Sequence, residues 1–162
     1  IKGLSITDEH PELKRAKELK LKIINYNEMV GILTKKFKTI CICGCHGKTT
    51  TTAMTSHILN QIKGINYLIG DGTGYANPQN EYFALESCEY KRHFLSYTPY
   101  YTVILNIDLD HVDYFKDIND VIDAYTEFAN TSTKMIIANG DDNNIRRMKV
   151  NKKIKVVKFI KL

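Results

Sequence analysis

Apolar residues follow two patterns along the chain, short continuous runs and longer stretches at helical spacing. The runs are rich in β-branched and aromatic residues, and the breaks between them hold glycine, proline and asparagine, which is typical of buried strands. They predict strands at residues 1–6, 21–25, 39–43, 65–69, 82–86, 101–106, 134–138 and 154–159. The helical spacing predicts helices at residues 8–20, 27–35, 48–60, 118–130 and 145–149. Strands that alternate with helices predict an α/β fold, an open and mostly parallel sheet flanked by helices.

The composition is that of an ordinary globular chain. Of its 162 residues, 43% are hydrophobic and 25% are charged. The net charge of +5 is scattered, without interleaved aromatic residues or a basic helix, so it fits anionic small molecules and argues against a nucleic-acid partner. No run approaches the ~18 apolar residues of a membrane span, and no signal peptide opens the chain. We therefore expect no membrane partner and a cytoplasmic location.

The cysteines fit neither a zinc site nor a disulfide framework. Cys41, Cys43 and Cys45 alternate along one predicted strand and the turn after it, and Cys88 stands apart. This spacing favours small, reduced residues in the core of a cytosolic protein.

The predicted strand at residues 39–43 leads into a glycine turn and then into a helix. Gly44 and Gly47 bracket the turn, and Lys48 and Thr49 begin the helix. Backbone N–H groups and the dipole of a helix N-terminus attract anions at such a joint. Lys48 can reach a β- or γ-phosphate, and the Thr49 hydroxyl can ligate the accompanying Mg²⁺. The stretch therefore predicts a site for a nucleoside triphosphate with Mg²⁺.

The predicted strand at residues 82–86 ends in a carboxylate, Glu86. An acid at the end of a parallel strand beside a phosphate-binding loop holds Mg²⁺ directly or through water. Glu89, three residues later, is either a second acid or a solvated residue at the start of a helix.

The predicted strand at residues 101–106 leads into Asn-Ile-Asp-Leu-Asp-His, which ends at His111. A neutral imidazole at the carboxyl end of a core strand is apt as a metal ligand. A purely structural histidine is the alternative. Asp108 and Asp110 would share a face if the strand continued, and Asp110 could then orient the imidazole.

Residues 44–50 read Gly-Cys-His-Gly-Lys-Thr-Thr, a shorter turn than the ordinary P-loop, which would need a glycine in place of Ile42. The turn resembles the loop of the Mur ligases and the folylpolyglutamate synthetases, which are ATP-dependent amide-forming enzymes. With His46 it is similar to that of the UDP-N-acetylmuramate–L-alanine ligases in particular, although Cys45 stands where that family usually has threonine. The Glu86 strand and the element ending at His111 follow in the family's order, and the resemblance covers nearly the whole chain.

The resemblance implies an ATP- and Mg²⁺-dependent ligase of peptidoglycan precursor synthesis. It would join L-alanine to UDP-N-acetylmuramate through an acyl-phosphate intermediate. The loop residues implied to bind the nucleotide are Gly44, Cys45, His46, Gly47, Lys48, Thr49 and Thr50. Thr49 and Glu86 are implied to hold a first Mg²⁺, and His111 with Glu86 a second.

The catalytic residues implied by the resemblance are His46, Lys48, Glu86 and His111. His46 could contact the muramyl carboxylate or merely shape the loop. We expect the Lys48 head to face solvent when no nucleotide is bound. Arg92, on a predicted helical turn, could meet a phosphate or only solvent.

The resemblance also implies a domain organisation. Residues 1–36 are similar to the C-terminal part of a UDP-substrate-binding Rossmann-like domain, and residues 37–162 to a truncated central ATP-binding domain. Activity would need a C-terminal domain that follows residue 162, so we expect this chain to bind Mg-ATP weakly. The loop at residues 70–78 either faces the muramyl substrate or is a flexible connector.

The helix predicted at residues 118–130 bears on which of the related ligases the chain resembles. Its spacing turns Val121, Ile122, Tyr125 and Phe128 inward. The sister ligases that add later residues, and the folate enzymes, resemble one another in a carbamylated lysine about one helix after the histidine, and this chain has no lysine between Lys116 and Lys134. That gap agrees with the alanine-adding type. A ligase that recycles murein peptide onto UDP-N-acetylmuramate and a noncatalytic nucleotide-binding module remain as alternatives.

Overall fold

The computed structural model describes residues 1–3 and 5–160, so Leu4, within one predicted strand, and residues 161–162 lie outside it. The described part holds one seven-stranded sheet. Its strands are β1 Lys38–Cys43, β2 Asn66–Leu68, β3 Gly74–Tyr75, β4 Tyr82–Glu86, β5 Tyr101–Ile104, β6 Met135–Asn139 and β7 Lys155–Phe159. The α-helices found there are α1 Pro11–Glu18, α2 Tyr26–Thr34, α3 Lys48–Ile62, α4 Ile118–Ala129 and α5 Asn143–Arg146, and a 3-10 segment spans Tyr90–Ser96.

The sheet order is β3-β2-β4-β1-β5-β6-β7, and every neighbouring pair is parallel except β2 with β3. The predicted α/β fold with an open, mostly parallel sheet is confirmed. Strand β1 lies between β4 and β5, so the connections diverge to the two sides of β1. The carboxyl ends of these three strands meet at one edge, the place where open α/β sheets bind ligands.

The core lies on both faces of β1. Cys41, Ile42 and Cys43 are fully buried there, and the cysteines of the described chain are free thiols. Helix α4 covers one face, and the four side chains predicted to turn inward are all buried. None of the helices in the described ranges has the length and apolar character needed to cross a bilayer.

Near the start of the chain the two predicted helices form as α1 and α2, but the strand predicted between them does not. Residues 21–25, all described, form no strand, and only an isolated bridge pairs Asn25 with Lys2. Asn25 instead caps α2 in a capping box with Glu28, which commits the chain to a helix.

The loop predicted at residues 70–78 contains the short strand β3, whose Tyr75 ring stacks on Tyr67 of β2 at a centroid distance of 6.0 Å. The domain boundary near residue 37 stays a prediction.

Helix α2 packs closely on the 3-10 segment through Gly31, and a Cβ there would overlap the carbonyl oxygen of Ser96. Alanine in place of a helical glycine normally stabilises by about 1 kcal/mol. Here we expect Gly31→Ala to lower the free energy of unfolding by about 1–3 kcal/mol, because the backbones must separate. Urea denaturation measures the change, with Ile32→Ala on the exposed side of the same helix as the control. A stabilised Gly31→Ala variant would show that the helix does not pack this closely.

Candidate functional site

The loop after β1 depends on two glycines. Gly44 has a φ of 146°, and a Cβ there would lie 3.0 Å from Leu105 Cβ and 3.2 Å from Asn106 N. Gly47 has a φ of 81° and is the N-cap of the 15-residue helix α3, which begins at Lys48 as predicted. Only glycine adopts such angles without strain. The loop therefore leads directly into a helix N-terminus, at the edge where the carboxyl ends of β1, β4 and β5 meet.

Asn106, two residues after the neighbouring strand β5, fixes this loop. Its side-chain Nδ2 donates to the His46 carbonyl at 2.9 Å, and its Oδ1 accepts from the His46 N–H at 2.8 Å. Its own carbonyl accepts weakly from the Cys45 N–H at 3.4 Å. We did not predict this role from the sequence. The available signal was the place of Asn106 just after β5, which is paired with β1.

Cys45 is a buried residue of the same loop, and burial raises the pKa of its thiol. Its Sγ lies 3.1 Å from both the carbonyl oxygen and the N–H nitrogen of Asp108. The thiol thus donates to one backbone group and accepts from the other, as a hydroxyl would. Its side chain braces the loop, whereas the predicted loop residues His46 and Thr50 are exposed.

Lys48 does not face solvent, contrary to the prediction, because its side chain is only 14% exposed. The ammonium donates to the Gly44 carbonyl at 2.6 Å and to the Cys45 carbonyl at 3.4 Å. It also pairs with Glu89 Oε2 at 3.3 Å. A buried carboxylate attracts the nearest cation, which explains why the lysine head turns inward.

Glu89 is the acid at the centre of the site. Its side chain is 1% exposed, so the solvated alternative is wrong. Its Oε1 accepts from the Lys48 ammonium at 3.4 Å and lies 3.7 Å from His111 Nε2. Its Oε2 accepts no hydrogen bond from any described residue. Apart from the Lys48 ion pair at 3.3 Å, this buried oxygen has hydrogen-bonding capacity to spare, so the group is suited to a further cationic ligand.

Glu86 lies beside the start of α3. Its Oε1 accepts from the Thr49 hydroxyl at 3.2 Å, and its Oε2 accepts from the Gly70 N–H at 2.7 Å. The structure thus brings together the two residues that the sequence assigned to one metal ion.

His111 groups with other acids than the sequence suggested. One ligand atom each from Glu89, Asp110 and His111 lies within 4.8 Å of the others, and Glu86 is not in this group. Because β5 ends at Ile104, Asp108 and Asp110 share no strand face. Asp110 accepts from the His111 backbone N–H at 2.7 Å and has no bond to the ring.

The segment between Glu89 and α4 is strained. Lys91 and Arg92 have φ of 50° and 56°, so the predicted helical turn is broken by two left-handed residues. The Arg92 guanidinium is not left to solvent, and its contact with a phosphate stays a prediction. It pairs with Asp120 at 2.8 Å and Glu127 at 3.1 Å, which ties the segment to α4.

These donors fit a nucleotide with a hard divalent cation. Mg²⁺ prefers oxygen ligands, and carboxylates with a threonine hydroxyl supply them. Two groups are available, Thr49 with Glu86, and the buried Glu89 with Asp110 and His111. Both groups lie beside the N-terminus of α3, which attracts phosphate.

Residues 42–161 match the family described as the Mur ligase middle domain. Solved structures have the same fold. The UDP-N-acetylmuramate:L-alanyl-gamma-D-glutamyl-meso-diaminopimelate ligase of Neisseria meningitides has a TM-score of 0.79 at 21% identity, over 96% of this chain and 56% of that one. The UDP-N-acetylmuramate-alanine ligase of Thermotoga maritima has a TM-score of 0.76 at 22% identity, over 91% and 36%. MurF ligase from Thermotoga maritima, in complex with ADP, has 0.65 at 18% identity, over 85% and 37%. The chain thus spans between about a third and just over half of their lengths, the shares being 36%, 37% and 56%.

Proposed function

Since the chain belongs to the Mur ligase middle domain family, we propose that it is the ATP-binding part of a ligase that joins L-alanine to UDP-N-acetylmuramate. One observation carries this proposal. Lysine, threonine, carboxylate and imidazole groups from three adjacent strand ends converge beside one helix N-terminus. The residues are Lys48, Thr49, Glu86, Glu89 and His111. ATP-dependent chemistry of this kind belongs in the cytoplasm, where we place the protein.

Each group has a role in the proposed site. The Lys48 ammonium leaves its ion pair with Glu89 and binds the β- and γ-phosphates. The N–H groups at the start of α3 hold the same phosphates. Thr49 and Glu86 are placed to hold one Mg²⁺. Glu89, with Asp110 and His111, is placed to hold a second, in preference to Glu86. Bound Mg²⁺ would offset negative charge on the phosphoryl group during its transfer.

The proposed reaction has two steps. The carboxylate of UDP-N-acetylmuramate takes the γ-phosphoryl group of ATP, giving an acyl phosphate and ADP. The amine of L-alanine then displaces phosphate and forms the amide. The chain's own part is to hold the phosphates in line with the attacking carboxylate.

A cavity beside Glu86 supports a place for the acid substrate. Its volume is about 620 Å³, and it is lined by Gly70, Glu86, Tyr90 and Lys91 among others. Aromatic side chains can pack on a sugar ring, and a lysine can pair with an anionic group. We propose that the loop at residues 70–78 faces this substrate.

Two observations bear on the choice between ligases. The absence of lysine from α4, where Tyr125 is fully buried, supports the alanine-adding type. The murein-peptide recycling ligase is the second candidate, because the UDP-N-acetylmuramate:L-alanyl-gamma-D-glutamyl-meso-diaminopimelate ligase structure aligns over 96% of this chain.

Phosphate release by the protein that carries this chain tests the proposal. We expect release to require UDP-N-acetylmuramate and L-alanine together, and to be lost in Glu86→Ala. Release with the tripeptide L-alanyl-γ-D-glutamyl-meso-diaminopimelate in place of alanine would favour the recycling ligase. No release with either would leave a noncatalytic nucleotide-binding module.

A further inference from the structure

The β2–β3 hairpin lies directly over the end of β4. Its turn is fixed by its own hydrogen bonds. The Ile69 N–H donates to the Thr73 carbonyl at 2.9 Å, and the Gly72 N–H donates to the Ile69 carbonyl at 3.0 Å. Asp71 Oδ1 accepts from the Thr73 N–H at 2.8 Å. The turn therefore presents the backbone of Gly70 in a defined place, although Gly70 itself is exposed.

Gly70 and the Glu86 carboxylate are in unusually close contact. The Gly70 N–H donates to Glu86 Oε2 at 2.7 Å. A Cβ on Gly70 would lie 2.5 Å from Oε1, 2.6 Å from Cδ and 2.6 Å from Oε2 of Glu86. Real Cβ atoms do not come this close, so any side chain at position 70 would displace the carboxylate.

The backbone conformation gives no other reason for a glycine at this position. Gly70 does not have a positive φ, whereas Gly72 has a φ of 89°. An alanine would therefore meet no backbone strain, and its effect would act through the carboxylate alone. The other carboxylate oxygen, Oε1, is the one that contacts the Thr49 hydroxyl.

We propose that Gly70 is a positioning residue that sets the Glu86 carboxylate against Thr49 for binding of the metal–nucleotide complex. This inference rests on the proposed function. The N–H of Gly70 fixes one oxygen, and the missing side chain leaves space for the other to face Thr49. The hairpin thus acts as an outer support for a metal-binding acid rather than as a free connector.

The test compares Gly70→Ala with Gly74→Ala, whose Cβ would lie no closer than 3.4 Å to any neighbour. Binding of Mn²⁺ with a nonhydrolysable ATP analogue is measured by electron paramagnetic resonance, which requires no turnover. We expect Gly70→Ala to weaken Mn²⁺ binding by ~10-fold or more, as loss of an outer support does. We expect Gly74→Ala to stay within about twofold, and both variants to keep the wild-type melting temperature.

A second, metal-free measurement separates the two proposals. In ¹H–¹⁵N NMR spectra of the unliganded chain, we expect Glu86→Gln to move the Gly70 amide proton upfield, because a charged acceptor is lost. An unmoved Gly70 signal, or equal Mn²⁺ affinity of Gly70→Ala and wild type, would overturn the inference alone. Absence of Mn²⁺–nucleotide binding in the wild type, with the amide shift present, would overturn the proposed function and, with it, Gly70's metal-positioning role.

Discussion

Replacement of Lys48 with alanine is expected to abolish nucleotide binding and also to destabilise the fold. The first effect follows because the ammonium is the cation at the start of α3 that can meet the phosphates. The second follows because Lys48 is the partner of Glu89, which is 1% exposed. Removing one partner leaves a buried charge unpaired, which costs about 3–5 kcal/mol.

The two effects can be separated by changing Glu89 as well. Glu89→Gln removes the charge that Lys48 neutralises, so the double variant Lys48→Ala/Glu89→Gln is expected to recover part of the lost stability. It should not recover nucleotide affinity, because the lysine is still absent. Urea denaturation measures stability, and NMR titration with Mg-ATP measures weak binding. If Lys48→Ala were as stable as wild type, the lysine head would not be neutralising Glu89, which would contradict the burial seen here.

Replacement of Asn106 with alanine is expected to weaken nucleotide binding by ~10- to 100-fold. The side chain makes two hydrogen bonds to the His46 backbone, at 2.8 and 2.9 Å. Each is worth about 0.5–1.5 kcal/mol. Without them the loop between Gly44 and Gly47 loses its side-chain link to Asn106 and keeps only weaker contacts of Cys45 to this segment, so the nucleotide must supply part of its order at the expense of affinity.

Asn139 provides the matched control. It lies at the end of β6, donates through Nδ2 to the Leu105 carbonyl at 3.1 Å and accepts through Oδ1 from the Asp141 N–H at 3.0 Å, and neither bond reaches residues 44–47. We expect Asn139→Ala to lower the free energy of unfolding about as much as Asn106→Ala does. We expect it to leave nucleotide affinity unchanged. Equal losses of affinity in the two variants would mean that Asn106 acts on the fold as a whole and not on the loop.

The central strands could be predicted because their burial on both faces shows directly in the local sequence pattern. Strand β4, Tyr82–Glu86, coincides with its prediction, and β1 differs by one residue at its start. Such strands are buried on both faces, so they appear as continuous apolar runs. The segment at residues 21–25 has a similar pattern, but within the described ranges it pairs only through the bridge between Asn25 and Lys2, and Asn25 also caps α2.

The candidate site could be predicted only in part. Each strand end offered one group, Lys48, Glu86 and His111, and parallel strands bring their carboxyl ends together. Which acid meets the histidine depends on the left-handed turn at residues 91–92 and on its ties to α4, which no local pattern shows. The burial of Glu89 is likewise a product of three elements, so the sequence left its role open.

The central claim is that a metal-bound nucleotide lies at the shared end of β1, β4 and β5. Paramagnetic broadening of backbone amide signals by Mn²⁺ with a nonhydrolysable ATP analogue tests it directly. We predict that the signals of residues 44–50, Glu86, Glu89 and His111 disappear together, while those of β7 at the far edge of the sheet stay sharp. Sharp signals at Glu86 and His111 beside a broadened loop, or broadening centred elsewhere, would contradict the claim.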